Sequence, residues 1–454
     1  MTDRRGTVRL RPPKLAACLA WACLAAGAKA QEQPASDQSA APTEAYALHG
    51  QTTFIDQFHF AFPSPYEGKN SLSPDAEGRE TWDLTIYDGF RPWKGAEFWI
   101  APEVDQGFGL DNTAGVAGYP SGEAYKIGRS IPYVRLQRIF VRQTIELGGG
   151  EQNVDSGPFQ LAGKTTKNRI VITAGKFSVD DIFDSNDYAH DPRHDFMNWS
   201  LIDTGTFDYA ADAWGYTVGA AVEWYQGDWA LRAAVMDLSI VPNSPELDPH
   251  FAQYQLIGEG ERRWTIHGLG GVARITGYWS HGRMGSFDQA IAQAQSVGGV
   301  PSTALVREFQ GRGGFGFNAQ QQLTGDLGVF VRAGVRNGTV EPYEFTDIDR
   351  TGAFGVSLKG RRWGRPDDMV GLAGVVNGIT AIHQAYLADG GIGVLVGDGQ
   401  LPHPGTERIL ETFYSVAVVK QFHVTLDYQF VDNPAYNRDR GPVSILAARL
   451  HAEF

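Results

Sequence analysis

The sequence predicts an all-β chain that closes into a sixteen-stranded antiparallel transmembrane β-barrel, and three observations support this fold class. Apolar and polar residues alternate from Tyr46 onward, without long helical periodicity. Long connections between these segments also alternate with short ones along the chain. After the first 30 residues, no apolar run reaches the roughly 18 residues of a membrane helix, which excludes a helical membrane protein.

Composition narrows the class of protein further. Aromatic residues make up 12% of the 454 residues, which is too many for a disordered chain. The formal net charge is -13, and no long basic block follows the N-terminal segment. A nucleic-acid partner is therefore not expected.

The N-terminal segment 1–30 predicts a signal peptide. A basic start precedes an apolar run over residues 15–28, and Ala28-Lys29-Ala30 offers small residues where a signal peptidase reads the chain. We expect cleavage before Gln31, because the run is too short to remain as a membrane anchor. Both cysteines of the sequence lie in this segment, so the exported protein would contain neither a thiol nor a disulfide.

Beyond the cleavage site the chain divides into a leader and one barrel. Residues 31–46 are rich in Gln, Ala, Pro and Ser, which is typical of a flexible leader. Residues 47–454 contain about sixteen alternating segments and predict a single outer-membrane barrel.

The last segment, VSILAARLHAEF, shows the alternation most clearly. Leu446 and Phe454 fall on one face with alanines, and Arg449 and His451 fall on the other. A soluble sandwich would produce the same pattern, so this segment alone leaves both folds open. A final strand that ends in Phe454 is typical of the signal that barrel assembly machinery reads, and that machinery is an expected partner during biogenesis.

The connections favour the barrel. Odd-numbered connections are long, as at 106–131 and 179–210, and even-numbered ones are short, as at Gln226–Asp228 and Lys420–Gln421. The segment 148–167 is an exception. Short periplasmic turns and long extracellular loops are what an outer-membrane barrel requires, so we expect an integral protein of the Gram-negative outer membrane, surrounded by its lipid.

Long, composition-specific segments are spread over most of the chain: HGQTTFIDQF (49–58), SPYEGKNSL (64–72), PEVDQGFGLDNTAGVAGYPSGEAYKIG (102–128), GKFSVDDIFDSNDYAHDPRHDFMNW (175–199), FDYAADAWGYTVGAAVEWY (207–225), NPAYNRDRGPV (433–443) and ARLHAEF (448–454). They resemble the carbohydrate-selective porins of Gram-negative outer membranes. The resemblance implies a sixteen-stranded barrel whose inward-folded loops narrow the pore. It also implies a passive channel that prefers small carbohydrates, such as glucose-type monosaccharides.

Two long loops have the composition that a sugar pathway needs. A neutral sugar requires side chains that donate or accept hydrogen bonds, with aromatic surfaces beside them, and it must be bound weakly. We expect residues 106–131 and 179–205 to fold inward and form the constriction; extracellular lids that pack on each other are the alternative. The candidate pathway residues in these loops are Glu123, Lys126, Arg129, Asp184, Asn186, Asp191, Arg193, Asn198 and Trp199.

Arginines of the barrel wall complete the candidate pathway. Arginine in lipid is costly, so strand alternation is expected to turn these side chains into the lumen. A guanidinium donates paired hydrogen bonds to vicinal hydroxyls, although pairing with loop carboxylates is an equally good interpretation. Such arginines would also suit a channel for small organic acids or amino acids, the alternative function. The wall candidates are Arg138, Arg142, Arg232, Arg312, Arg332 and Arg336.

Other site chemistry finds little support. The sequence contains no G-x-S-x-G motif. His190 and His194 are four residues apart, but Pro192 lies between them and disfavours a helical metal-binding pair. The carboxylates of residues 180–187 lack calcium-loop spacing. We therefore expect a channel rather than an enzyme, with no metal and no cofactor.

Overall fold

The computed structural model describes residues 43–124 and 128–454, so the signal peptide and most of the leader lie outside the described residues. Sixteen antiparallel strands form one closed barrel, which confirms the predicted fold class. The strands are β1 (Tyr46–His59), β2 (Glu77–Phe90), β3 (Ala96–Gly107), β4 (Arg129–Val154), β5 (Gly163–Phe177), β6 (Thr217–Gln226), β7 (Trp229–Asp237), β8 (Tyr254–Ile266), β9 (Leu269–Met284), β10 (Glu308–Gln322), β11 (Leu327–Arg336), β12 (Arg350–Lys359), β13 (Met369–Gly378), β14 (Glu407–Val419), β15 (Phe422–Asp432) and β16 (Val443–Glu453).

Short helices occur in the connections between strands. The α-helices among the described residues are α1 (Trp199–Ile202), α2 (Phe287–Val297) and α3 (Ala381–Ala388). Single 3₁₀ turns are formed by Leu110–Thr113, Val179–Asp181, Thr303–Leu305, Gly360–Trp363 and Pro434–Tyr436. None of the helices in this part of the chain has the length and apolar character needed to cross a membrane.

Antiparallel pairing of β1 with β16 closes the barrel, and this pairing continues to the end of the chain. The amide of Gly50 donates to the Phe454 carbonyl (2.8 Å), and the Phe454 amide donates to the Gly50 carbonyl (2.9 Å). A Cβ atom at Gly50 would lie 2.3 Å from Cζ of Phe454, so only glycine admits the terminal ring here. Closure leaves no unpaired sheet edge, which is the requirement for strands in lipid.

The two ends of the barrel differ as the sequence predicts. One end carries the short turns, and the other carries the long connections 60–76, 108–128, 178–216, 238–253, 285–307, 337–349, 379–406 and 433–442. The expected exception at 148–167 is wrong, because β4 continues to Val154 and β5 already begins at Gly163. Register shifts on both sides of Gly148 accommodate the glycine run, which the sequence analysis interpreted as a loop.

Alternation along the strands separates a lipid face from a lumen face. In β16, Leu446 lies on the exposed outer surface, while Arg449 and His451 are buried in the lumen. The same division on β4 leaves Ile145 outside. An apolar outer surface and a polar interior are what a barrel in lipid needs.

The lumen is filled by two long connections, named here loop A (108–124 and 128 among the described residues) and loop B (178–216). Their apolar side chains form a core with the inner wall, in which Phe196 packs against Phe330 (5.7 Å between ring centroids) and Phe413 (5.0 Å). Burial of each such ring stabilises the packed loop by about 1.5–3 kcal/mol. The predicted inward folding of the loops is thus confirmed.

Candidate functional site

Buried wall carboxylates hold loop B across the lumen. Glu259 accepts a hydrogen bond from the Asp184 amide (2.8 Å), and Glu411 accepts from the amides of Met197 (2.5 Å) and Asn198 (3.0 Å). Buried hydrogen bonds of this kind contribute about 0.5–1.5 kcal/mol each. Acidic residues of β8 and β14 therefore anchor the loop backbone.

Loops A and B also bind each other. The Trp199 amide donates to the Tyr119 carbonyl (3.1 Å), and the two rings are stacked with centroids 5.3 Å apart. The Gly122 amide donates to the Met197 carbonyl (2.8 Å). The loops do pack on each other, as the alternative interpretation expected, but they do so inside the barrel rather than as lids.

Four of the predicted loop residues are buried in this packing. Asn318 of β10 donates to the Asp184 carboxylate (2.8 Å) and accepts from the Asn186 amide group (2.7 Å). Asn198 caps helix α1, whose first residue is the buried Trp199. These four side chains are almost fully buried and shape loop B from within.

Two of the four buried arginines predicted for the wall pair with carboxylates that lie outside loops A and B. Arg232 lies 2.7 Å from Glu259 and 3.0 Å from Glu261. Arg336 lies 3.0 Å from Asp349, which belongs to the loop before β12. The predicted inward orientation is observed for both, together with the charge pairing that the sequence left open.

The other two buried arginines among the predicted wall residues are bound by loop B. Arg312 forms an ion pair with Asp208. Arg332 donates to the carbonyls of Leu201 (2.6 Å) and Asp184 (2.8 Å). Their guanidinium groups are occupied in holding the loop and are out of reach of a solute.

A column of accessible arginines runs along β4. It begins at the exposed Arg129 and continues with Arg135, Arg138 and Arg142, whose side chains are 26%, 12% and 24% exposed. The side chain of Arg312, by comparison, is 0% exposed. Partly exposed guanidinium groups therefore follow one another along β4, whereas the predicted wall arginines of the other strands are buried.

A β-bulge keeps this column on one face. Arg135 and Arg138 are three residues apart, so regular alternation would turn them to opposite faces. The register between β3 and β4 shifts at Ala101 and Pro102, which leaves Gln137 as an extra residue. Proline has no amide hydrogen for the ladder and is typical of such sites. Regular alternation from Arg138 therefore does not predict an inward Arg135, and Pro102 is the signal in the sequence that marks the bulge.

Aromatic rings accompany the column. A guanidinium on a ring face keeps its N–H edges free for other acceptors. The guanidinium–centroid distances are 4.7 Å for Arg129 over Tyr133, 3.4 Å for Arg135 over Trp214, 5.0 Å and 4.8 Å for Arg138 with Phe159 and Tyr216, and 5.3 Å for Arg142 with Phe140.

Carboxylates of loop B balance the arginines. Arg138 binds Asp181 through two hydrogen bonds of 2.8 and 2.7 Å. Asp191 is more accessible; burial opposes its ionisation, but the charges of His194 and Arg193 and a backbone hydrogen bond lower its pKa to about 2. The carboxylate is therefore ionised at neutral pH.

Arg193 joins loop B to an acidic part of the wall. It donates to Glu123 of loop A (2.9 Å) and lies 3.6 Å from Asp83 and 3.7 Å from Glu103. These two wall carboxylates were not among the predicted residues. The predicted Lys126 lies outside the described residues.

Two groups of described side chains place possible metal ligands close together. His59, Glu77 and Asp111 form one group, in which Glu77 already pairs with Arg79. His194, His451 and Glu453 form the other. The sequence analysis considered His194 only with His190, whose ring instead faces Asp203 at 3.9 Å.

A closed barrel of sixteen strands, narrowed from within by its long loops and lined by a charged column, defines a porin. The family model of the carbohydrate-selective porins, OprB family, matches residues 69–454 of this chain. The chain belongs to this family and is an outer-membrane channel for carbohydrates rather than an enzyme. The resemblance found in the sequence is thereby confirmed.

Solved structures show the same fold. The chain is similar to the high-pH structure of Pseudomonas putida OprB, with a TM-score of 0.69, 15% identity and coverage of 90% of this chain and 94% of that one. The low-pH structure of the same protein gives a TM-score of 0.50 with 13% identity, covering 90% and 93%. No curated protein sequence matches the chain significantly.

Proposed function

We propose that this porin is a passive channel for small neutral sugars of the glucose type and that they pass along the arginine column of β4. The observation that carries the proposal is the contact of each partly or fully exposed arginine of this column with an aromatic ring. Contact with a ring face fixes the plane of a guanidinium, and a passing sugar would exchange hydrogen bonds with the acceptors that Arg135, Arg138 and Arg142 now hold.

The arrangement suits the two chemical faces of a sugar. Vicinal hydroxyls accept paired hydrogen bonds from a planar guanidinium, while C–H surfaces contact aromatic rings. The sugar would move along the four successive arginines of β4, each of which binds it weakly enough to release it. The buried residues Asp184, Asn186, Asn198 and Trp199 would set the width of the pore without touching the sugar.

Charge balance supports sugars over anions. Arg138 is paired with Asp181, and Arg135 lies 3.4 Å from Asp212, which also binds Lys176 at 3.3 Å. These carboxylates reduce the attraction that the arginines would exert on an organic acid. A neutral solute requires only the hydrogen-bonding edges.

The route to the membrane belongs to the same proposal. Residues 1–30 would be removed as a signal peptide, and residues 31–46 would remain as a leader. Barrel assembly machinery would read the final strand with Phe454, and the apolar outer face would contact lipid. We propose no catalytic activity and no cofactor requirement for transport.

Liposome swelling tests the function directly. Refolded protein is placed in vesicles, and the entry of glucose is compared with the entry of amino acids and organic anions of matched size. We expect glucose to enter faster. Faster entry of the charged solutes would replace the proposal with the organic-acid channel, and no swelling would contradict both.

A further inference from the structure

Two histidines and a glutamate meet where loop B contacts β16. Glu453 Oε1 lies 2.5 Å from His194 Nε2 and 3.2 Å from His451 Nε2. All three ligand atoms lie within 4.8 Å of one another. The imidazole rings form an edge-to-face pair with centroids 4.3 Å apart. Both Nε2 atoms thus point at one small volume between a loop and the wall.

The buried histidine of this group is oriented by a neighbour. His451 Nδ1 and Thr53 Oγ1 are 3.0 Å apart in a buried hydrogen bond. When Nδ1 donates its proton to the threonine oxygen, Nε2 presents its lone pair to the cluster. Metal-bound histidines use this arrangement, in which the second ring nitrogen is fixed by a hydrogen bond.

The loop segment that carries His194 is also held in place. Arg449 of β16 donates to the carbonyls of Pro192, His194 (3.1 Å) and Asp195 (3.0 Å). These contacts hold the His194 backbone against the strand that supplies the other two side chains. The three groups are therefore brought together before any ligand binds, which lowers the entropic cost of binding.

We propose that His194, His451 and Glu453 bind a divalent transition metal of the Zn²⁺ type and that the metal fastens loop B to β16. Two imidazoles and a carboxylate form a common zinc ligand set, with the fourth position left to water. Imidazole ligands favour zinc, copper and nickel over calcium and magnesium. To surround an ion about 2.0–2.2 Å from each ligand atom, Glu453 and His194, now in hydrogen-bonding contact at 2.5 Å, would have to separate by roughly 1 Å.

Calorimetric titration of the refolded protein with Zn²⁺ is the first test. We expect one site per chain, weakened roughly tenfold or more in H194Q and H451Q. H403Q is the matched control, because His403 also pairs with a carboxylate, Asp439, at 2.8 Å but on an exposed loop. The control should bind as the wild type does. Equal affinity in all four proteins would overturn the proposal, as would equal weakening in the control.

A second variant tests the site by a new absorption band rather than by a loss of metal affinity. In H194C, bound Co²⁺ should acquire a thiolate-to-metal charge-transfer band that the wild type, with cysteines only at positions 18 and 23, lacks. The folded state is verified by the heat-dependent migration of the barrel in gels. A folded H194C without the band would exclude His194 as a ligand. Both readouts measure metal binding, so their outcome is independent of sugar transport.

Discussion

Arg193 Nη2 lies 2.9 Å from Glu123 Oε1, and this contact joins the two loops that fill the lumen. The same guanidinium lies within 4 Å of the wall carboxylates of Asp83 and Glu103. One cation on loop B therefore faces three buried or nearly buried acids that belong to loop A, β2 and β3. The charge balance of the lumen depends on where loop B lies.

Replacing Arg193 with methionine should make the channel more selective for cations. The variant R193M keeps much of the side-chain volume but leaves Glu123, Asp83 and Glu103 without their shared cation. One uncompensated charge beside the path changes a monovalent cation's free energy by about 1 kcal/mol, or roughly fivefold in permeability ratio. Reversal potentials in planar bilayers under a salt gradient measure the shift.

The control for that experiment is R361M. Arg361 pairs with Asp326 (3.1 Å) at the short-turn end, and its side chain is 71% exposed. Its removal should leave the reversal potential unchanged. An R193M channel with wild-type selectivity would show that the Arg193 cluster does not border the ion path.

Replacing Arg138 with lysine separates charge from geometry. Lysine keeps the positive charge but cannot form the two parallel bonds to Asp181 or stack flat against Tyr216. Loss of about 1 kcal/mol of hydrogen bonding should slow glucose entry roughly fivefold in liposome swelling, with ion selectivity maintained. R408K, at an exposed position near Asp432, should behave as the wild type. Unchanged glucose entry in R138K would remove Arg138 from the sugar path.

Removing the carboxylate of Glu411 should loosen loop B. The variant E411A deprives the Met197 and Asn198 amides of their acceptor inside the lumen. Unsatisfied buried donors cost about 1–3 kcal/mol each, so the loop should sample displaced positions. Single-channel recordings should show higher mean conductance and larger current fluctuations. The exposed rim residue Glu308 supplies the control, E308A; identical recordings from E411A and E308A would mean that the anchor is dispensable.

The barrel could be predicted from the sequence because the residue patterns that produce it repeat along the chain. Alternation and loop parity persist over sixteen strands, so single irregularities such as the glycine run at 148–150 displaced a boundary without changing the fold. The inward orientation of Arg138 and Arg142 followed from the same alternation. Such patterns depend only on neighbours along the chain.

The site was less predictable because its partners are distant in sequence. Asn186 is buried by Asn318, a residue of β10 that the composition of loop B cannot reveal. Arg135 reaches the lumen only through the bulge opposite Pro102. Such long-range pairs decide whether a polar loop residue is exposed to water or buried against the wall. The composition of a polar loop is compatible with either outcome.

The ion pairs of Asp349 should make the stability of the barrel sensitive to acid. Burial opposes ionisation of this loop residue, but the charges of His383 and Arg336, with hydrogen bonds from His383 and Thr380, hold its pKa well below the usual range. A lowered pKa in the folded state adds stability above the unfolded value of about 3.9, and that stability is lost as the pH falls through the folded pKa.

The variant D349N should therefore be destabilised at neutral pH and approach the wild type in acid. Breaking a buried pair costs about 3–5 kcal/mol, so the free energy of unfolding at pH 7 should drop by roughly this amount. Below about pH 4 the stabilisation by the ionised Asp349 carboxylate of the wild type begins to decrease. The difference in free energy of unfolding between D349N and the wild type should then narrow. Denaturant titrations of the refolded barrel at several pH values measure it. D75N, which alters an exposed carboxylate in the connection between β1 and β2, is the control and should change little at any pH. A constant difference between D349N and wild type from neutral to acid pH would show that ionisation of Asp349 is not the source of its contribution.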